Sequence, residues 1–272
     1  MSRASTRRDF LKTASVATAA VAMNAASYAR VPGANDRLSI AQIGCGNRGY
    51  GSHMPGVYAH VDTQNFEITA VCDPWRVRRE MANERVKEWF GRDARQFISY
   101  RDVVALDDVD AVMIASCDHQ HTTHMFAAAE AKKDIYCEKP LAMDMPSMNR
   151  AYDAIKANGV VFQAGTQLRS MPSFTGCREL YKTGIFGSVG RIQQNRNGAE
   201  PYWYGHIRDC NEEDVDWQEF LMDLPDRPFD PVRYTGWYGY RETSDGPVPG
   251  LASHYIDLVH YITGATFPTS CV

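Results

Sequence analysis

Gly44, Gly46 and Gly49 stand in the spacing G-x-G-x-x-G, and an aspartate, Asp73, closes an apolar run further along. Residues of these types in this order can hold a nucleotide by its pyrophosphate and its ribose. Gly44 permits a tight turn, Gly46 lets backbone N–H groups approach a pyrophosphate with no Cβ in the way, and Gly49 lets the following helix pack closely on the strand. The pyrophosphate would sit on free N–H groups at a helix N-terminus. An acid at the position of Asp73 would take the adenosine ribose hydroxyls. A glycine triplet alone more often marks an ordinary loop, so its meaning depends on the elements around it.

Those elements alternate. Leu38, Ile40 and Ile43 form a short strand before the turn, and 66–72 is a second apolar strand that ends on Asp73. Residues 75–90 read as a helix with Val77, Met81, Val86 and Trp89 as its apolar members. The strand 110–116, the helix 121–132, the short strand 134–137 and the turn Glu138-Lys139-Pro140 follow. A helix over 145–158, closed by Gly159, leads to a strand over 160–164. This alternation predicts an α/β fold, a doubly wound parallel sheet of the Rossmann type, over residues 36–164.

From Arg169 onward the composition shifts. A helix is expected to 182 and a strand over 188–194, and three of the five tryptophans lie at Trp203, Trp217 and Trp237 among several tyrosines. Such rings can stack on sugar faces, but filling a core or a sheet face is the commoner use. A helix over 250–261 comes next, and 265–272 reads as the start of a strand. Residues 165–272 are therefore expected to form a lean second domain whose sheet is incomplete.

At 272 residues with a net charge of −4 and a pI near 6.1, the chain has material for about two domains and no electrostatic reason to seek nucleic acid. A small-molecule partner is the better expectation. Arg7-Arg8 with Phe10-Leu11-Lys12, an alanine-rich run and Ser27-Tyr28-Ala29 read as a twin-arginine signal over residues 1–29. This predicts handling by the twin-arginine export machinery and a periplasmic or otherwise exported protein. The run is too short for a permanent membrane span. Seven cysteines show no C-x-x-C pair, which argues against a disulfide framework or zinc site; Cys45, Cys72, Cys117 and Cys137 fall at strand ends as small buried hydrophobes.

Lys139 follows a predicted parallel strand and should project at the carboxyl edge of the sheet, where ligands bind in open α/β folds. Read locally, it is equally a surface lysine paired with Glu138. His119, His121 and His124 cluster, but no carboxylate beyond Asp118 lies at ligand spacing, so a metal is not expected.

The glycine turn, Asp73, Asp118-His119-Gln120-His121, Glu138-Lys139-Pro140 and His254-Tyr255-Ile256-Asp257 fall in the order seen in the Gfo/Idh/MocA oxidoreductases, which this chain resembles from about Arg37 to Gly264. The Glu-Lys-Pro turn is the most specific part of that likeness. The resemblance implies a nicotinamide enzyme with a second α+β domain, an open, largely antiparallel sheet that holds a sugar or cyclitol and mediates homo-oligomerisation. It places the cofactor against Gly44, Gly46, Asn47, Arg48 and Gly49. Asp73, Ser116, Asp118, His121 and Glu138 complete the implied cofactor site. Lys139 would bond the reacting hydroxyl, and His254 would exchange its proton.

Physical chemistry agrees with those roles. Removing hydride from a carbinol carbon requires an acceptor for the hydroxyl proton, and histidine titrates near neutrality. The charge of Lys139 would stabilise a developing alkoxide. Asp257, at i+3 from His254, would share its helix face and either orient the imidazole or line the pocket. One departure stands out: many relatives carry an aspartate four residues before the helix histidine, where this chain has Gly250. Asp73 favours NAD, with NADP the alternative because Arg76 is near enough to meet a 2′-phosphate. Two other functions compete, a glycoside hydrolase that uses NAD transiently and a non-enzymatic sugar-binding remnant.

Overall fold

The protein was analysed as a computed structural model, which describes residues 37–195 and 201–270. The leader expected over residues 1–29 lies outside the described residues, as does Cys271.

Six strands, β1 (Leu38–Ile43), β2 (Phe66–Cys72), β3 (Arg95–Phe97), β4 (Ala111–Ile114), β5 (Asp134–Glu138) and β6 (Phe162–Gly165), form one sheet in the order β3-β2-β1-β4-β5-β6. Every pairing is parallel. The order runs outward from β1 in both directions, so β1 and β4 diverge at a switch point, and ligands of open α/β sheets bind at the carboxyl ends of such strands.

Apolar residues explain the two covered faces. On one, Ala41, Ile43, Val112 and Ile114 pack against Met125, Ala128 and Ala129 of the helix His121–Glu130 and against Ala151, Ala154 and Ile155 of the helix Met145–Asn158. On the other, Ile68, Val71 and Met113 meet Met54 of the helix Met54–Tyr58 and Ala82 and Val86 of the helix Arg76–Phe90. Gly159 ends the Met145–Asn158 helix with φ +65°, the left-handed cap the sequence suggested. Gln42 and Glu67 are polar side chains buried within the sheet. Glu67 pairs with Arg37 and Arg92, and Gln42 donates to the carbonyls of Gly44 and Met113 at 3.0 and 3.1 Å. The amide of Gln42 thereby ties the glycine turn to the neighbouring strand.

Beyond β6 the expectations hold less well. The helix Pro172–Lys182 starts later than predicted, at a proline whose missing N–H costs nothing in the first turn. No strand forms over 188–194, and its Val189 and Ile192 are exposed. A strand needs a neighbour for its N–H and C=O groups, and no described segment pairs with this one. The antiparallel sheet expected of a second domain is thus not seen among the described residues. The segment after 210 instead packs back on the Rossmann unit, where Trp217, Phe220, Leu221 and Tyr234 bury Trp75 and Val215 in a third apolar cluster. An antiparallel bridge between Trp75 and Val215 fixes that contact. Core filling is thus the use made of Trp217. Among the described residues no helix is long and apolar enough to cross a membrane.

Candidate active site

A cleft of about 530 Å³ opens at the carboxyl edge of the sheet, within the usual range for a small-molecule site. Gly44 begins it. Its φ of +83° is the left-handed value that glycine tolerates, and a Cβ there would meet the backbone of Ala115 and Ser116 at 2.6 Å. Gly46 lines the cleft, and a Cβ on it would meet nothing within 4 Å, so its backbone faces open space of the kind a pyrophosphate fills. Gly49 does not line the cleft. A Cβ at Gly49 would strike the carbonyl oxygen of Gly44 at 1.9 Å, so this glycine lets the turn fold back on itself.

Asp73 is buried at the end of β2. Its carboxylate accepts the N–H of Cys45 at 2.7 Å and of Trp75 at 2.9 Å, with Tyr234 Oη at 3.5 Å. Burial pushes its pKa up, against the pull of those two N–H groups and of Arg78 and Arg79. Arg76, the cation the sequence offered for a 2′-phosphate, turns outward to Glu80 and Asp214. Arg78 lines the cleft instead and donates to Asn47 Oδ1 at 3.2 Å, while Asn47 Nδ2 lies 3.2 Å from His206 Nδ1.

Glu138 is held by Arg48 at 2.6 Å and by His53 at 2.9 Å. Burial alone would push its carboxyl up, but those two partners outweigh it and hold the pKa below the ordinary glutamate value. Lys139 Nζ donates to the carbonyl of Gly250 and lines the cleft.

The loop after β4 is bound from several sides. Ser116 Oγ lies 3.0 Å from His124 Nδ1, Asp118 accepts from Ser244 Oγ at 2.7 Å, and His121 bridges the carbonyls of Pro140 and Ser116 at 2.7 and 3.2 Å. Burial raises the pKa of Asp118, with His121 and Lys139 opposing. His119 bonds the carbonyl of Phe220 at 2.9 Å, so each of the three histidines engages a serine or backbone oxygen. No group of three metal-ligating side chains occurs among the described residues. Burial also drives the thiols of Cys45, Cys72 and Cys137 well up, which keeps them inert.

His254 reaches the cleft from the helix Ser253–Thr263, and its Nδ1 is buried with no hydrogen-bond partner. Burial, then the charge of Lys139, lowers its pKa, which favours the neutral imidazole. Asp257 does not orient it. Both oxygens of Asp257 are taken by Arg169 at 2.5 to 2.9 Å, outside the cleft lining. Helical spacing puts two residues on one face, but a guanidinium fork outcompetes an imidazole for a carboxylate.

The cleft thus gathers Gly44, Gly46, Asn47, Arg48, Asp73, Ser116, Asp118, His121, Glu138, Lys139 and His254, and leaves out Gly49 and Asp257. Sequence reasoning missed Arg78, Phe220, Tyr234 and Thr235, which also line the cleft. The aromatic richness after residue 200 was the available signal. The open backbone at Gly46, the buried acid at Asp73 and the glycine turn fit a dinucleotide.

A six-stranded parallel sheet in this order, with a glycine turn after its first strand and an acid after its second, defines a dinucleotide-binding Rossmann unit. Residues 38–166 match the Gfo/Idh/MocA model, an oxidoreductase family with an NAD-binding Rossmann fold. The inositol 2-dehydrogenase/D-chiro-inositol 3-dehydrogenase of Shouchella clausii is 31% identical over 140 residues, 50% of this chain and 39% of the relative. Inositol 2-dehydrogenase 3 of Saccharopolyspora erythraea is 36% identical over 138 residues, 49% of this chain and 41% of the relative. The crystal structure of an NAD-binding protein from Listeria innocua superposes with a TM-score of 0.60 at 22% identity, over 83% of this chain and 54% of that one, a likeness of fold. The chain thus spans about two fifths of the length of these two curated relatives.

Proposed function

We propose that the protein is an NAD(P)-dependent oxidoreductase that acts on a CH–OH group, or the matching ketone, of a sugar or cyclitol. The observation that carries this reading is the meeting of Lys139 and His254 in one cleft with Gly46 and Asp73. A nicotinamide dinucleotide, when bound, supplies the hydride acceptor or donor. The residues that would hold it are Gly44, Gly46, Asn47 and Arg48 on the pyrophosphate side and Asp73 at the ribose. Ser116, Asp118, His121 and Glu138 shape the inner end. NAD is favoured over NADP because Asp73 would repel a 2′-phosphate and Arg76 is engaged by Glu80 and Asp214.

His254 takes the hydroxyl proton in oxidation and returns it in reduction. Its lowered pKa suits a base that is neutral at working pH. Lys139, held on the Gly250 carbonyl, stabilises alkoxide charge on the reacting oxygen. The inositol dehydrogenases among the relatives support a polyhydroxylated ring as substrate. Residues 165–272 are read as the substrate-binding and oligomerising part, and the paired arginines Arg7 and Arg8 support export.

The test is Lys139→Ala, assayed by NADH formation against a panel of inositols and hexoses. Turnover should fall by about a hundredfold or more while dinucleotide binding is retained. Unchanged turnover would remove Lys139 from the mechanism.

A further inference from the structure

Gly250 is buried, and the space its side chain would use is already taken. A Cβ added there would lie 1.8 Å from Oη of Tyr238 and 2.7 Å from Cζ. The carbonyl of the same residue accepts the ammonium of Lys139. His254 follows about one turn later in the helical run, on the face that residue 250 presents. An ammonium, a phenol and an imidazole therefore converge around one backbone residue, and all three side chains line the cleft.

Tyr238 arrives from a separate element, the turn Trp237–Gly239, and that turn is pinned. Thr243 Oγ1 donates to the carbonyl of Trp237 at 2.6 Å, and a Cβ on Gly239 would strike the indole of Trp203 at 2.4 Å. The Tyr238 ring packs against Trp237 and Trp203, with centroids 5.5 and 6.3 Å away. Ring packing fixes the apolar body of the residue and leaves its polar tip at the site, the arrangement that suits a tyrosine.

We propose that Tyr238 is a further catalytic residue, whose hydroxyl contacts the reacting oxygen of the substrate and donates a hydrogen bond to it beside Lys139. The inference rests on the oxidoreductase reading above. Tyr238 keeps its own proton, because the substrate O–H proton goes to His254, so the balance of the hydride transfer is unaltered. A phenol donates without placing a second charge against the ammonium. Glycine at 250 is the counterpart of this choice, since any side chain there would displace the phenol.

Tyr238→Phe keeps the ring and removes the oxygen. Against the same panel of inositols and hexoses, kcat should fall by about a hundredfold, as for loss of one donor to a developing oxyanion. Melting temperature, and dinucleotide affinity read from quenching of tryptophan fluorescence, should stay at wild-type values. Gly250→Ala should also lower kcat, because its Cβ would displace the phenol. Wild-type kcat and KM in Tyr238→Phe would overturn the proposal and leave the oxidoreductase reading intact. A Tyr238→Phe protein that loses stability and dinucleotide affinity along with turnover would make the hydroxyl structural and also overturn it. A wild-type chain that neither binds dinucleotide nor turns over substrate would overturn the underlying reading, and the proposal with it.

Discussion

Asp73 accepts the backbone N–H of Cys45 at 2.7 Å, so the acid at the end of β2 holds the glycine turn at the end of β1. Its other oxygen takes the N–H of Trp75, which starts the next helix. One buried carboxylate therefore organises both loops on the nucleotide side of the cleft. Asp73→Ala should leave two N–H groups without their acceptor and cost about 2–3 kcal/mol in denaturant-unfolding measurements. Dinucleotide affinity should fall as well, since the turn is no longer held. A protein of unchanged stability would show that the turn is set by other contacts.

The glycines separate stability from binding. Gly44→Ala places a Cβ against the backbone of Ala115 and Ser116 at a φ of +83°, a strained conformation with nowhere to relax, and should destabilise by about 2 kcal/mol or more. Gly46→Ala meets no protein atom within 4 Å, so the melting temperature should barely move while dinucleotide affinity drops. Thermal melts and fluorescence titrations on the two variants read the contrast directly.

Acid should weaken the fold through its histidines. Burial holds His124 well below the ordinary value near 6.5, and His119 and His254 below it. Groups with depressed folded pKa values contribute stability in full above about 6.5, and lose it as pH falls through their folded values, because the unfolded chain binds the protons first. Asp73 and Asp118, whose carboxyls burial raises, act with the opposite sign. Urea unfolding from pH 8 down to 5 should show a falling midpoint, and His124→Asn should flatten that slope even if it lowers the starting stability. An unaltered slope in that variant would exclude His124 as the source.

Asp257 offers a check on the catalytic set. Because Arg169 takes both of its oxygens, Asp257→Asn should weaken a partly exposed ion pair by about 1 kcal/mol or less and leave the pH profile of turnover unchanged. A shifted acid limb would put Asp257 back beside His254.

What could be read from the sequence was local. The strand and glycine turn at 38–49, the helix stop at Gly159 and the edge position of Lys139 each follow from residue types within a few positions of one another. The partners of Glu138 do not, because Arg48 and His53 lie far back in the chain and only the parallel crossovers bring them together. β3 was missed for another reason. Arg95–Phe97 is three residues long with no alternating pattern, and it becomes a strand only because Ala70, Val71 and Cys72 offer it an edge. The error at 188–194 is the reverse case, a segment read as strand to which the described chain offers no edge.

The packing of Trp75 under Tyr234 and Phe220 bears on how this protein could be recombined with its relatives. The family model's match stops at residue 166, yet Phe220, Tyr234 and Thr235 form part of the wall of the cleft. A chimera that exchanges residues 38–166 alone would set one parent's nucleotide loops against another parent's wall. Functional crossovers should therefore be those that carry Trp75 and the 215–237 segment from the same parent.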